Sequence, residues 1–142
     1  MPKIIIMTNM EERLFSFEKL EAYREARLLV REVYRLQNKF PQEEKYALGD
    51  QIRRSSTSIT SNIAEGCGRN SLKEKINFIS IAFGSLFESF SQLQNAQDLG
   101  YIRGEEIDAL RPSFNRVASL LSGLKNSYQR LSEGSEPLNV KP

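Results

Sequence analysis

The sequence predicts an all-α protein, an antiparallel up-down-up-down left-handed four-helix bundle. Three observations carry that expectation. Apolar residues recur at alternating three- and four-residue spacing through four long segments. Short turns containing Gly, Pro and Asn separate the segments, so consecutive helices should run antiparallel. No strand-like alternation persists beyond the first few residues. At 142 residues and 16.3 kDa the chain has the size of one domain with a single core. Residues 1–15 are expected to form a disordered or extended leader, 16–131 the bundle, and 132–142 a disordered tail with little to bury.

The first helix is expected from about Phe17 to Lys39, with Ser16 as N-cap and Phe40-Pro41 as its stop. Ala22, Tyr23, Ala26, Leu29, Val30, Val33 and Leu36 share one side of its wheel. The other side carries Arg24, Arg27, Arg31 and Arg35 beside Glu21, Glu25 and Glu32. Pairing at i,i+3 and i,i+4 should neutralise much of that basic stripe and leave a solvated face.

The second helix is expected from Glu43-Glu44, where acids suit the positive end of the dipole, to Glu65-Gly66. It contains the unusual stretch RRSSTSITSNIAEGCGR, residues 53–69. Ile52 centres its inward face, joined by Leu48, Ser55, Ser56, Ile59, Ile63 and Gly66. Thr57, Ser61 and Ala64 keep the other side low as well, which suits a helix crowded between two neighbours. The propensity lost at Ser, Thr and Asn is a few tenths of a kcal/mol each, which packing offsets. Asn62 lies at the border of the inward face, where a polar group needs a partner and can fix register. Gly66, Gly68 and Asn70 are expected to supply positive φ values for a tight turn. Arg53 and Arg54 project about 100° apart and should not form one two-pronged clamp.

The third helix should open with a capping box at Ser71-Leu72-Lys73-Glu74 and end at Leu99, with Gly100 left-handed after it. From Ile76 to Gln97 its only charged residue is Glu88. Asn77, Gln92, Gln94, Asn95 and the serines argue against a membrane span. Phe78, Ile79, Ala82, Phe83, Leu86, Phe87, Phe90 and Leu93 cover about half its circumference, more than one core needs. A homo-oligomer interface through Phe78, Phe83, Phe87 and Phe90 is the expectation, and a deep central helix in a monomer the alternative. The fourth helix should run from Glu105 to Leu131. Its seam is Ile107, Leu110, Phe114, Val117, Leu121, Leu124, Tyr128 and Leu131, a repeat that implies left-handed supercoiling. Pro112 falls off the seam, where a bend or break is expected.

Composition narrows the chemistry. With no histidine, Ser-His-Asp and Cys-His catalysis, HExxH zinc sites and Glu-x-x-His di-iron sites are excluded. Cys67 is the single cysteine, so no intrachain disulfide forms and a reducing, cytoplasmic setting is expected. The opening MPKIIIMTNM lacks a full apolar region and a cleavage site and reads as a disordered leader or an upstream start rather than a signal peptide. No base is available to activate Cys67, and Gly66-Cys67-Gly68 is too short for a nucleotide loop. A net charge of +2 requires that any nucleic-acid role use a local patch. Arg69, Lys73 and Lys75 around a helix N-terminus form one such patch, able to hold a phosphate, with a solvated basic turn as the alternative. Arg53 and Arg54 are further nucleic-acid-binding candidates, and the Arg24, Arg27, Arg31, Arg35 stripe is a basic candidate for which the solvated face is the favoured reading. No cofactor, metal, small-molecule substrate or membrane is implied.

The strings QIRRSSTSITSNIAEGCGR and INFISIAFGSLFESFSQL, with FEKLEAYREARLLVREVY and FPQEEKYALGDQIRRS before them, resemble the four-helix-bundle family of 23S rRNA intervening-sequence proteins. The resemblance spans about residues 17–131 and extends to accessory proteins of diversity-generating retroelements. It implies a left-handed antiparallel bundle in a ring-like homo-oligomer, typically a pentamer. For the retroelement relatives it implies binding to nucleic acid and a reverse transcriptase through basic surface. The family's characteristic residues fall on Arg53, Arg54, Ser55, Asn62, Glu65, Gly66, Gly68, Arg69, Gly84, Ser85 and Glu88, mostly architectural in character. The expected function is a non-enzymatic, oligomeric assembly or adaptor protein acting on RNA or a ribonucleoprotein. The alternative is a nucleic-acid-binding accessory subunit of a reverse transcriptase.

Overall fold

The computed structural model describes residues 13–134. Four long helices fill this span: α1 (Glu21–Gln37), α2 (Leu48–Cys67), α3 (Leu72–Asp98) and α4 (Gly104–Ser132). Two short 3-10 turns, Ser16–Lys19 and Gln42–Glu44, precede α1 and α2, and no strand occurs among the described residues. The arrangement is that of a four-helix bundle, with α2 and α3 in the most extensive contact and α1 packed on both α2 and α4. The expected leader and tail lie outside the described residues, apart from the few positions at their inner edges.

Each helix contributes three fully buried large side chains to one core. They are Leu29, Val33 and Leu36 from α1, Ile52, Ile59 and Ile63 from α2, Ile79, Leu86 and Leu93 from α3, and Ile107, Val117 and Leu121 from α4. The three-four periodicity of the sequence therefore becomes a continuous apolar stripe on every helix. On α4 the seam is buried through Leu121, half-buried at Leu124 and Tyr128, and exposed at Leu131. Helix α4 continues unbroken through Pro112, whose exposed position costs no core contact.

Two helix starts differ from expectation. Leu20 is extended (φ −73°, ψ 130°), so α1 begins at Glu21 and Ser16 caps nothing. The 3-10 turn before it is held by the Phe15 N–H donating to Glu18 Oε2 at 2.9 Å and by the Arg24 guanidinium donating to the Lys19 carbonyl at 3.0 Å. This turn brings Phe17 edge-on to Tyr23, with centroids 4.8 Å apart. Helix α2 begins at Leu48, later than expected, because Glu44 has stronger partners than a helix dipole. Its Oε1 accepts the Leu48 N–H at 3.1 Å and its Oε2 accepts the Tyr101 hydroxyl at 2.6 Å. The acid thus caps α2 from the preceding turn. Gly49 is required there, since a Cβ on it would meet the Glu44 carbonyl at 2.8 Å.

Ser71 does cap α3: its Oγ accepts the Glu74 N–H at 3.1 Å. The reciprocal bond differs from a full capping box, since Glu74 Oε1 accepts the Ser71 hydroxyl at 3.1 Å. Gly100 takes φ 81° after α3, as expected. At this end of the molecule the α1–α2 and α3–α4 connections meet. Phe40 and Tyr101 pack with centroids 5.7 Å apart, and Lys39 forms an ion pair with Glu106.

Two carboxylates at that end are held below the usual carboxylate range. Hydrogen bonds from the Tyr101 hydroxyl and then the Leu48 amide act on Glu44. Those from Lys39 and then the Arg103 amide act on Glu106. A lowered folded-state value means stability that is complete above the unfolded value and drains as pH falls through the folded one. Acidification below about pH 4.5 should therefore lower the melting temperature of the native chain more than that of a Glu44→Gln/Glu106→Gln variant. Parallel Tm-against-pH curves for the two proteins would remove these bonds from the account.

Candidate functional site

The polar stretch of α2 faces α3, and its hydroxyls form a ladder between the two helices. Ser55 Oγ donates to Gln92 Oε1 at 2.6 Å and accepts from Ser89 Oγ at 2.9 Å. Ser58 and Ser85 hydroxyls lie 2.8 Å apart, and Asn62 Nδ2 donates to Ser58 Oγ at 2.9 Å. Ser55, Ser56, Ser85, Ser89 and Gln92 are buried, and among the described residues no buried side-chain N or O lacks a partner. A buried polar group without a partner costs about 1–3 kcal/mol, whereas a satisfied network specifies one arrangement. Glu88 extends the ladder outward, accepting from Gln92 Nε2 at 3.3 Å.

This ladder makes a sharp expectation. Ser55→Val leaves Gln92 Oε1 without its donor, while Ser89 keeps its bond to the Ser85 carbonyl, and should cost about 1–3 kcal/mol. Pairing it with Gln92→Leu removes both sides of the bond and should recover part of that loss. Chemical denaturation of the single and double variants measures the coupling; strictly additive losses would deny it.

Gly66 and Gly68 serve differently from the turn role expected of them. Among the described residues positive φ occurs only at Gly100 and Gly134, and Gly68 sits at φ −87°. Asn70 is not left-handed either. The turn closes instead through the Gly68 N–H to the Ala64 and Glu65 carbonyls and through Lys75 Nζ, 2.8 Å from the Cys67 carbonyl. Gly66 is needed for close helix approach, since a Cβ there would stand 2.9 Å from Phe78 Cβ. Gly84 is exposed on α3, where a Cβ would meet nothing within 4 Å.

The five cations expected to bind nucleic acid fall in two groups at opposite ends of α2. Arg54 Nε donates to Asp50 at 2.9 Å, and Arg53 reaches the same carboxylate at 3.8 Å while donating to the Lys45 carbonyl at 2.7 Å. The pair thus converges on one internal partner despite its 100° offset. Arg69 pairs with Glu65 at 3.2 Å and lies 4.6 Å from the Phe78 ring centroid. Lys75 is turned inward to the end of α2 and lies 5.7 Å from the Tyr128 ring. Burial and then the neighbouring Cys67 push the Tyr128 hydroxyl up from its ordinary value. Lys73 alone of the five is exposed with no ion pair among the described residues. Arg53 is near the start of α2 and Arg69 just past its end, with the 14 residues from Arg53 to Cys67, roughly 21 Å of helix, between them, so the structure does not bring the two groups together.

The expected pairing on α1 is also redistributed. Arg116 of α4 takes Glu21 and, at 3.6 Å, Glu25, while Glu32 pairs with Arg35 at 2.9 Å. Arg24, Arg27 and Arg31 are left without an ion pair among the described residues. They line a groove of about 640 Å³ between α1 and α2 with Tyr23, Leu28, Val30 and Thr60. Sequence spacing alone could not show this, because Arg116 lies 95 residues from Glu21.

Of the four phenylalanines expected at a subunit contact, Phe87 is 61% exposed and meets Phe83 edge-on with centroids 4.9 Å apart. Phe83 and Phe90 are half-buried, and Phe78 lies beneath Arg69. Phe90 packs edge-on against Phe114 at 5.1 Å, with the Arg111 guanidinium 4.9 Å from its ring. Phe87, Phe90, Phe114 and Ala118 line a mostly apolar groove of about 230 Å³ between α3 and α4. No helix among the described residues is long and apolar enough to cross a membrane.

Comparison with known proteins completes the picture. The family model described as 23S rRNA-intervening sequence protein matches residues 18–123. A crystal structure of a protein of unknown function from the S23 ribosomal protein family of Bacteroides thetaiotaomicron is similar in fold, with a TM-score of 0.67 and 24% identity. That likeness covers 74% of this chain and 95% of the other. Comparison with curated proteins finds no match. These findings give the reverse-transcriptase accessory alternative no support. Three quarters of the chain match one family model, and the fold agrees: the chain belongs to the 23S rRNA-intervening sequence protein family.

Proposed function

We propose that residues 16–131 form a non-enzymatic, self-associating bundle of antiparallel helices that acts as an assembly or adaptor protein on RNA or a ribonucleoprotein in the cytoplasm. One observation carries this reading: the outer face of α3. Over the 22 residues from Ile76 to Gln97 it bears Glu88 as its only charge, whereas a solvated helix face is ordinarily rich in charge. Phe87 and Ile81 are 61% and 44% exposed on it, with Asn77, Gly84 and Ser91 exposed beside them. Such a face marks a protein contact. The α3–α4 groove continues that face onto α4, sharing Phe87 and Ser91 with it and adding Phe114 and Ala118. Head-to-tail contact through this surface closes into a ring when the rotation between copies closes, and the ring-like, pentameric form proposed here is the one the family resemblance implies. The RNA half of the proposal comes from the family's description, which names 23S rRNA.

Native mass spectrometry of the purified protein, alone and with a 23S rRNA transcript, tests both halves. The expected spectra show a discrete multiple of 16.3 kDa, and RNA-bound forms of the same multiple. A single-chain mass would sink the assembly half, and an assembly that never captures RNA would sink the other.

A further inference from the structure

We infer that the groove between α1 and α2 is a binding surface for the phosphodiester backbone of single-stranded RNA, held by Arg24, Arg27 and Arg31. This deepens the RNA reading above and rests on it. Three observations support it. The arginines stand at three- and four-residue spacing on one side of α1, so their Cα atoms rise about 4.5 Å and then about 6 Å along the helix axis. Their nearest carboxylates on α1 are engaged elsewhere, Glu21 and Glu25 with Arg116 and Glu32 with Arg35. The facing wall carries no opposing charge, because α2 has no Asp or Glu from Gln51 to Ala64 and presents Thr60 to the groove.

A groove with three guanidiniums and no carboxylate in its lining is a focused positive surface on a chain of near-neutral net charge. Guanidinium is the cation best suited to phosphate, because its planar fork donates two parallel bonds to the oxygens. Arg27 lies 6.0 Å from the Tyr23 ring, and Leu28 is 51% exposed among the arginines. Those two give a strand a partly apolar floor as well as charge, the combination single-strand surfaces use. Arg24 keeps one bond inside the chain, to the Lys19 carbonyl at 3.0 Å, whereas Arg53, Arg54 and Arg69 are each paired with a carboxylate.

The test is fluorescence anisotropy of a labelled single-stranded RNA oligonucleotide across a salt series, with the full chain. Three proteins are compared: the native chain, an Arg24→Gln/Arg27→Gln/Arg31→Gln variant, and an Arg69→Gln/Lys73→Gln variant. Circular dichroism and native mass check each fold and assembly. The groove variant should bind at least about tenfold more weakly at low salt. Its slope of log K against log salt should be shallower by about 2, from roughly 0.7 per lost phosphate contact. The Arg69/Lys73 variant should change little. Binding of a DNA strand of the same sequence with similar affinity would support backbone contact, and a strong RNA preference would support added recognition of the 2′-hydroxyl at the same groove. A groove variant that binds like the native chain overturns the inference while leaving the RNA reading intact. A groove variant that dissociates into single chains also overturns it, because the arginines would then be subunit contacts. No RNA binding by the native chain overturns the RNA reading and the inference together.

Discussion

Replacing Ile59 by alanine should destabilise the protein by about 2–5 kcal/mol, the range for emptying a well-packed core position. Ile59 sits in the most polar stretch of the chain, yet it is fully buried, in one core cluster with Ile52, Ile63 and Ile79. Its neighbours Ser55, Ser56 and Asn62 are tied up in hydrogen bonds, to Gln92 and Ser89, to the Arg53 carbonyl, and to Ser58. They cannot collapse into the space the missing methyls leave without breaking those bonds. A chain of this size shifts by roughly 3–5 °C in Tm per kcal/mol. The melt should therefore fall by roughly 6–25 °C at fixed protein concentration, which matters because assembly itself raises apparent stability. Leu131→Ala at the exposed end of α4 is the control and should change Tm little. Equal effects at the two positions would mean that the RRSSTSITSNIAEGCGR stretch is a surface rather than core.

Gly66→Val should produce the second large loss. Helix propensity argues weakly the other way, since glycine inside a helix costs roughly 0.5–1 kcal/mol relative to alanine. Contact decides the sign. A Cβ at Gly66 would stand 2.9 Å from Phe78 Cβ and 3.4 Å from the Lys75 carbonyl, positions near the backbone of α3 that cannot swing aside. The helices must part, and overpacking of this kind costs about 1–3 kcal/mol, more when branched methyls follow the Cβ. Lys75 and the Cys67 carbonyl lie in the same contact, so the α2–α3 turn should loosen with it. Gly123→Ala on α4 isolates the propensity effect: a Cβ there meets nothing within 4 Å, and the change should raise stability by roughly 0.5–1 kcal/mol. Thermal melts of both variants measure the contrast, and a stabilising substitution at Gly66 would contradict the close approach.

Much of the fold was legible because helix periodicity is local. The apolar side of α1 and the seam of α4 through Leu121 could be read directly, as could the Ser71 cap and the left-handed Gly100. Helix starts were less legible where a distant residue decides them. Glu44 looks like a first-turn acid until Tyr101, 57 residues on, takes its carboxylate. The same limit hid the charge pattern of α1. Glu21 sits at i,i+3 pairing spacing from Arg24, but Arg116 on α4 claims it together with Glu25 and leaves the arginine groove without a carboxylate.

The hydroxyl ladder left a signal that could have been found. Ser55, Ser58 and Asn62 on α2, and Ser85, Ser89 and Gln92 on α3, repeat at the same three-four spacing. Two polar stripes at core positions of neighbouring helices call for each other. Reading α2 alone showed only that its polar side chains needed partners. The glycines were misjudged for a similar reason: a tight turn and a close helix crossing both call for glycine, and only the position of Phe78 tells them apart.

Self-association through the bare outer face of α3 is tested most directly by the mass of the native chain and of Phe87→Glu, measured by multi-angle light scattering at micromolar concentration. Phe87 is the most exposed of the four phenylalanines, so a carboxylate there should leave the fold and its helical circular dichroism intact. Buried in an interface, that charge is costly unless paired. The native chain should scatter as a discrete multiple of 16.3 kDa, and Phe87→Glu should shift to single chains. A native chain that scatters as one 16.3 kDa particle would contradict self-association.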